Sequence, residues 1–529
     1  MNLIPRLLSG LWLALLAGSL AAHEAPDRPY QPPEYAPGWS APGPHPDRIV
    51  LNFSDDPATT ISVSWRTDTS VEAAVAEIAP ATPAPKFWRH AVTRTARTER
   101  MDGSGILTTE QVAHYHSVTF RGLQPDTLYA YRVGGNRHWS EWIQFRTAAS
   151  EPAPFSFLYV GDAQNHILEL WSRLIREGYR RAPEAAFIIH AGDLIDDAHS
   201  EQQWQEWFTA GGFIHRTLPS LPVAGNHEYA PFTAEEEAQD IEHLSIQWRP
   251  QFTLPENGIA ALPETNYFLD YQGVRFVALN TNEHHEAQAE WLRGVLRGNP
   301  NPWTIAFFHH PLFSASADRD NEALRALWKP IFDEHGVDLA LQGHDHAYAR
   351  GRAAPQGENL LTGVNLRDGT GTVYVVSVSG GKMYGLRPEA WDGWPAERDR
   401  AAENTQLFQR IRVDGDTLSF ESYTATGELY DAFDLVKDGA GGPNRFVERL
   451  DEAIPARRMA GTIPYQDVLP EAIRRDLQAR YPGFEFDDVL LIDDGDFIGY
   501  TVEMETDTEE VNLKVTRDGR IVEAIREAD

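Results

Sequence analysis

Between residues 154 and 435 the chain repeats one arrangement: a short apolar run that stops at aspartate, asparagine or histidine. Phe155–Val160, Ala186–Ile189, Pro222–Ala224, Thr304–Phe308 and Val337–Leu341 are such runs. Apolar runs without polar alternation mark strands covered on both faces of a sheet. Between them, Leu168, Trp171, Leu174 and Ile175 keep helical spacing, as do Trp291, Leu292, Val295 and Leu296. Strands alternating with helices restrict the segment to an α/β fold. Ligands of such folds collect at the carboxyl ends of the strands, where these polar clusters fall.

The flanking segments obey other patterns. Residues 1–22 combine Arg6, an apolar stretch from Leu7 to Leu20 and the small pair Ala21-Ala22, the layout of a secretory signal. The stretch is short for a membrane span, and no later one qualifies. A periplasmic or secreted protein is expected. Residues 23–46 hold eight prolines and read as a linker or extended arm. Residues 47–148 alternate as short strands: Ile61, Val63 and Trp65 point one way, and a turn at Pro125-Asp126 precedes Leu128–Tyr131. That pattern predicts an N-terminal β-sandwich. Residues 436–460 are charged and glycine-containing, and read as a second linker. Residues 461–529 read as a small C-terminal α+β domain, with a helix near 470–480, strands at 489–492, 500–504 and 511–515, and a turn at Asp518-Gly519.

Composition removes several function classes. The net charge of −32 argues against a nucleic-acid partner, which would meet a basic face. It also opposes the approach of anions, so attraction of an anionic substrate must be local. The chain has no cysteine, which excludes a thiolate nucleophile, thiolate metal sites and disulfides. A bound metal would therefore be held by nitrogen and oxygen donors.

Five blocks occur in order: Gly161-Asp162-Ala-Gln164, Gly192-Asp193-Leu-Ile-Asp196, Gly225-Asn226-His227-Glu228, His309-His310-Pro311 and Gly343-His344-Asp-His346. Each alone is a common strand-end sequence. Together, each after an apolar run, they resemble the signature blocks of the calcineurin-like metallophosphoesterases. The sandwich segment, from His116 to Tyr131 with Trp139-Ser-x-Trp and Phe145-Arg-Thr, resembles the fibronectin-like domain that precedes the catalytic domain of purple acid phosphatases. The tail resembles PepSY-like domains. The resemblance implies a multidomain chain whose centre is a four-layer α/β sandwich around two metal ions. It implies Asp193 as the bridging ligand, Asp162 and His346 on the first metal, and Asn226, His309 and His344 on the second. It implies His227 as the catalytic residue that contacts phosphate or protonates the leaving group. Gln164, Glu228 and His310 are further candidates as metal ligands or as partners that orient ligands, Glu228 as a hydrogen-bond partner of His227. His190 is a weaker candidate.

The residue types suit the chemistry. Two divalent ions a few ångströms apart clamp the attacking and leaving oxygens of a phosphoryl transfer and supply hydroxide near neutral pH. An anionic bridge is needed to hold them together. The set suits Zn, Mn or Fe in the divalent state. Two departures concern the first metal. Purple acid phosphatases carry tyrosine three residues after the bridging aspartate, where this chain has Asp196, so no purple chromophore is expected. Many relatives carry histidine where this chain has Gln164, whose carbonyl could ligate the metal or hold a metal-bound water. The function expected is hydrolysis of small phosphate monoesters, as in acid phosphatases. A phosphodiesterase or nucleotidase is the alternative within enzymes, and a non-catalytic binding protein the alternative outside them. The segment 230–270 would shape the leaving-group pocket, although its aromatic residues, Trp248 and Tyr267, also suit core packing. The sequence names no partner for the tail.

Overall fold

The computed structural model describes residues 30–528 apart from 32, 110, 136, 240, 317–318, 354–369, 388–390, 392–395, 438–443, 451–468, 494–496 and 507–508. The expected signal segment, 1–22, lies outside these residues. Among the described residues, no helix is long and apolar enough to cross a membrane.

The first domain is a β-sandwich. One antiparallel sheet runs in the order Asp47–Asn52, Thr60–Thr67, Val112–Arg121, Arg97–Asp102. The other runs Val92–Thr95, Val75–Pro80, Leu128–Gly135, His138–Trp139, with Ile143–Arg146 also on Leu128–Gly135. Every residue of Thr60–Thr67 is buried, although five of the eight are polar. The alternation explains this. Ile61, Val63 and Trp65 enter the sandwich core, while Ser64 and Arg66 meet the next domain. Ser64 Oγ lies 2.8 Å from Thr253 Oγ1. Arg66 and Arg48 both reach the fully buried carboxylate of Glu201. Arg66 also donates to Asp47 Oδ2 at 2.7 Å. Two guanidiniums and the Glu201 carboxylate are thus sealed into the interface, with the partly exposed Asp47 at its edge, and the cluster holds only while each charge has its partners.

The central domain contains two seven-stranded sheets. The first runs Ser220–Pro222, Ile188–His190, Phe155–Val160, Leu407–Asp414, Thr417–Thr424, Leu429–Val436, Arg445–Glu448. The second runs Tyr267–Tyr271, Val274–Ala278, Trp303–Phe308, Leu339–Gln342, Val373–Val376, Tyr348–Ala353, Ala396–Ala402. They pack face to face through aromatic rings, with Phe157 and Phe187 5.3 and 5.2 Å from Phe276. Ser172–Arg181 and Glu201–Gly211 cover the outer face of the first sheet. His285–Arg297 and Glu322–His335 cover that of the second. This is the expected four-layer order. Arg445–Glu448 lies inside the stretch read as a linker, yet pairs with Leu429–Val436, so the sheet runs past residue 435.

In the tail, the helix Glu471–Arg480 packs on an antiparallel meander of Glu485–Asp493, Ile498–Glu505, Glu509–Thr516 and Ile521–Ala528. The proline-rich arm touches this meander: Tyr30 bridges Ile492 and donates its N–H to Leu491 O at 2.8 Å.

Candidate metal centre

Three parallel strands of the first sheet, Phe155–Val160, Ile188–His190 and Ser220–Pro222, end in the first three sequence blocks. Two parallel strands of the second, Trp303–Phe308 and Leu339–Gln342, end in the other two. The facing sheets thus bring five carboxyl ends to one place. The loops approach so closely that side chains are excluded from their glycines. A Cβ on Gly225 would lie 2.0 Å from Asp193 Oδ1, and one on Gly192, at φ +92°, would lie 2.4 Å from His309 Nδ1. Asp193 and His344 themselves hold left-handed backbone, at φ 49° and 69°. Residues other than glycine adopt that region at an energetic cost, and such strain clusters at functional sites.

The donor atoms converge. Asn226 Oδ1 lies 3.0 Å from His309 Nε2 and 3.1 Å from His344 Nδ1, and those nitrogens are 3.2 Å apart. Asp193 Oδ2 is 3.0 Å from His309 Nε2. Asp162 Oδ2 lies 3.3 Å from His346 Nε2. Ligand atoms of Asp162, Asp193 and His309 all fall within 4.8 Å of one another, as do those of His309, His310 and His344. The six residues assigned to two metals are therefore together, with Asp193 beside both groups.

Backbone carbonyls set the histidine tautomers. His309 Nδ1–H donates to Ala191 O at 2.8 Å, and His346 Nδ1–H to Lys382 O at 3.0 Å. The Nε2 lone pairs then face oxygen and nitrogen lone pairs of the neighbouring ligands, which repel unless a cation lies among them. Asp162 Oδ2 and Gln164 Oε1 are buried without a hydrogen-bond partner. Burial alone opposes an imidazolium, but the Asp193 carboxylate beside it raises His309 to about 9. Burial, with Asp193 adding to it, pushes Asp162 up to about 7. A proton on His309 offsets only part of this negative charge. Two divalent cations offset all of it and use every converging lone pair, so the residues fit a metal pair.

The remaining candidates take different places. His227 donates its backbone N–H to Asp193 Oδ1 at 3.1 Å, and its Nδ1–H to Asp196 O at 2.7 Å. Its ring is partly exposed at the edge of the centre. Asp196, in the tyrosine position, thus serves His227 through its carbonyl. Glu228 is not the partner of His227. It is fully buried and accepts the backbone N–H groups of Leu194 at 2.7 Å, Asp193 at 3.0 Å and Gly225 at 2.7 Å. Burial, reinforced by Asp193, raises it to about 7. His310 stands 2.7 Å from Thr281 Oγ1, its ring centroid 4.3 Å from that of His344. Gln164 Nε2 is 3.3 Å from His346 Nε2. His190 faces away into the helix layer, among Trp171, Trp207 and His215, so it is a packing residue. Trp248 and Tyr267 are wholly buried core residues.

The Ala191 and Lys382 carbonyls escaped the sequence reading because any residue supplies a carbonyl. Arg319 escaped it too; its Nη2 is 2.9 Å from His344 Nε2. Lys382 had one signal, the preceding Gly380-Gly381. A Cβ on Gly380 would lie 1.9 Å from Gln164 O.

Comparisons with known proteins agree with this geometry. Residues 46–147 match the family Purple acid Phosphatase, N-terminal domain, and residues 155–348 match the family Calcineurin-like phosphoesterase. Similar proteins include Purple acid phosphatase 1 of Ipomoea batatas, 24% identical over 54% of this chain and 62% of its own length. Fe(3+)-Zn(2+) purple acid phosphatase 12 of Arabidopsis thaliana is 22% identical over 65% and 74%. Acid phosphatase type 7 of Danio rerio is 27% identical over 63% and 79%. The chain thus spans about three fifths of the Ipomoea protein and about three quarters of the other two. Among solved structures, the yellow lupin purple acid phosphatase PPD1 superposes with a TM-score of 0.61 at 19% identity, over 75% of each chain. PhoD superposes with a TM-score of 0.56 at 12% identity, over 81% of this chain and 97% of its own. Paired strand ends, a converging nitrogen–oxygen ligand set and both family matches identify residues 155–348 as a calcineurin-like phosphoesterase domain, preceded over residues 46–147 by the N-terminal domain of the purple acid phosphatases.

Proposed function

We propose that this chain is an exported metal-dependent hydrolase of small phosphate monoesters. The observation that carries the reading is the position of Asp193. Its carboxylate comes within 4.8 Å of donor atoms of both Asp162, which pairs with His346, and His309, which meets Asn226 and His344, so one anion would be within reach of both groups. A divalent pair held there would polarise the phosphoryl oxygens and lower the pKa of a water to near neutrality. Asp193 and Asp162 would hold that pair, helped by the carbonyl-fixed tautomers of His309 and His346. Glu228 keeps the Asp193 loop and the Asn226 loop at a fixed separation. His227, its Nδ1–H tied to the Asp196 carbonyl, holds or releases a proton at Nε2. That is the chemistry a departing alkoxide needs.

One relative's name gives a ferric–zinc pair. With Asp196 where purple acid phosphatases have tyrosine, the donor set here favours two divalent ions and a colourless protein. The N-terminal signal pattern supports export to the periplasm or beyond.

The test is turnover of p-nitrophenyl phosphate and bis-p-nitrophenyl phosphate by purified protein loaded with Zn²⁺, Mn²⁺ or Fe²⁺, beside Asp193→Ala. Monoester turnover that vanishes in the variant is expected. A preference for the diester would replace the monoester reading with a phosphodiesterase. No turnover with any metal would sink the enzyme reading.

A further inference from the structure

One wall of the centre is built from residues that no metal needs. Arg319 comes from the connection between Trp303–Phe308 and Glu322–His335. Its Nη2 lies 2.9 Å from His344 Nε2 and 3.2 Å from His344 Nδ1, and donates to His344 O at 3.3 Å. Its guanidinium carbon stands 4.7 Å above the Tyr384 ring. That ring is 4.6 Å from the ring of His346. Tyr384 also donates its N–H to His346 O at 2.9 Å. Arg319 and Tyr384 together therefore touch one histidine from each metal group. Beyond Tyr384 lies Lys382, almost fully buried, which pairs with Glu503 of the tail.

We propose that Arg319 binds the phosphoryl group of the substrate, held over the centre by its stack on Tyr384, and that it favours dianionic monoesters over monoanionic diesters. The inference rests on the phosphoesterase reading above. Three physical points support it. A guanidinium stays protonated at any working pH and presents a planar fork that matches two phosphate oxygens. Stacking on an aromatic ring fixes its plane and lowers the entropy lost when it binds. The chain carries a net charge of −32, so a substrate anion is repelled at long range and needs fixed positive charge at the site. A monoester has one more negative charge than a diester, so this contact is worth more to it. The tail takes part because Glu503 anchors Lys382, two residues before Tyr384.

The experiment uses the full chain loaded with metal. Arg319→Ala and Arg319→Lys are assayed for kcat and KM on both nitrophenyl esters, for inhibition by inorganic phosphate and for bound metal. In Arg319→Ala the monoester KM and the phosphate inhibition constant are expected to rise on the order of 10- to 100-fold, the range for a lost charged hydrogen bond. The diester KM should rise less, and bound metal should not change. Arg319→Lys, which keeps the charge without the fork, should recover part of the loss. Equal changes for both esters, loss of metal, or a fall in kcat with unchanged KM would overturn the proposal. If the unaltered enzyme turns over neither ester, the phosphatase reading fails separately. Calorimetric titration of the metal-loaded proteins with phosphate then decides the role of Arg319: weaker binding by Arg319→Ala supports it, and equal binding overturns it.

Discussion

Replacing Glu228 tests the claim that a carboxylate which touches no ligand atom holds the centre in shape. Its Oε2 accepts two backbone N–H groups, from Asp193 and Gly225, and its Oε1 accepts a third, from Leu194. Glu228→Ala leaves three donors in a site closed to bulk water. At about 1–3 kcal/mol for each unsatisfied buried group, and with partial relaxation, the loss should be about 3–6 kcal/mol. Glu228→Gln can keep its oxygen toward Asp193 and Gly225, but its amide nitrogen then faces the Leu194 N–H. One donor is lost, for about 1–3 kcal/mol. Urea unfolding at pH 7 measures both losses, and metal analysis after dialysis reports the centre. Both variants should lose metal, because Asp193 and Asn226 sit on the two loops that Glu228 joins. A loss below about 1 kcal/mol in Glu228→Ala, with full metal occupancy, would refute the reasoning.

Other outcomes follow from the same interactions. Burial lowers His215 to about 3 and His116 to about 4, whereas the unfolded chain protonates both near 6.5. The unfolded state therefore binds more protons, and stability falls as pH drops from 6.5 toward 4. The loss at pH 4.5 is about 2.7 kcal/mol per histidine, and His215→Phe should remove one share in urea unfolding at the two pH values. Glu201→Ala strands the Arg48 guanidinium in the domain interface, for a loss of about 3–5 kcal/mol; calorimetry should then separate sandwich unfolding from that of the catalytic domain. Glu503→Ala removes the carboxylate that pairs with Lys382, so protease should release the tail at a lower dose while the metal stays bound.

Much of this was legible because one rule places the chemistry. A strand buried on both faces must be apolar along its length, so a polar cluster at its end stands out. In a parallel sheet all such ends share one edge. Asp162, Asp193, Asn226, His309, His344 and His346 could therefore be placed at strand ends before any distance was known, and the family resemblance joined the ends of the two sheets into one site. Glu228 was misassigned because adjacency in sequence suggested adjacency in space. In the single 3₁₀ turn Asn226–Glu228, successive side chains diverge by about a third of a turn. His227 thus turns outward and Glu228 inward. Arg445–Glu448 was read as linker because an edge strand need not be apolar. The wall at Arg319 and Tyr384 carries no spacing pattern, since loops that pack against a site do so through tertiary contacts alone.

The contact between Tyr30 and Leu491 has a consequence in time. All six metal-binding candidates lie between Asp162 and His346, whereas the tail that receives the arm follows them in the chain. As the chain emerges from its amino end, every ligand is in place before Glu503 and Leu491 exist. Until those strands dock, the arm at Tyr30 has no partner there and Lys382 lacks its carboxylate. The centre can thus be assembled, and charged with metal, before the wall beside it is braced.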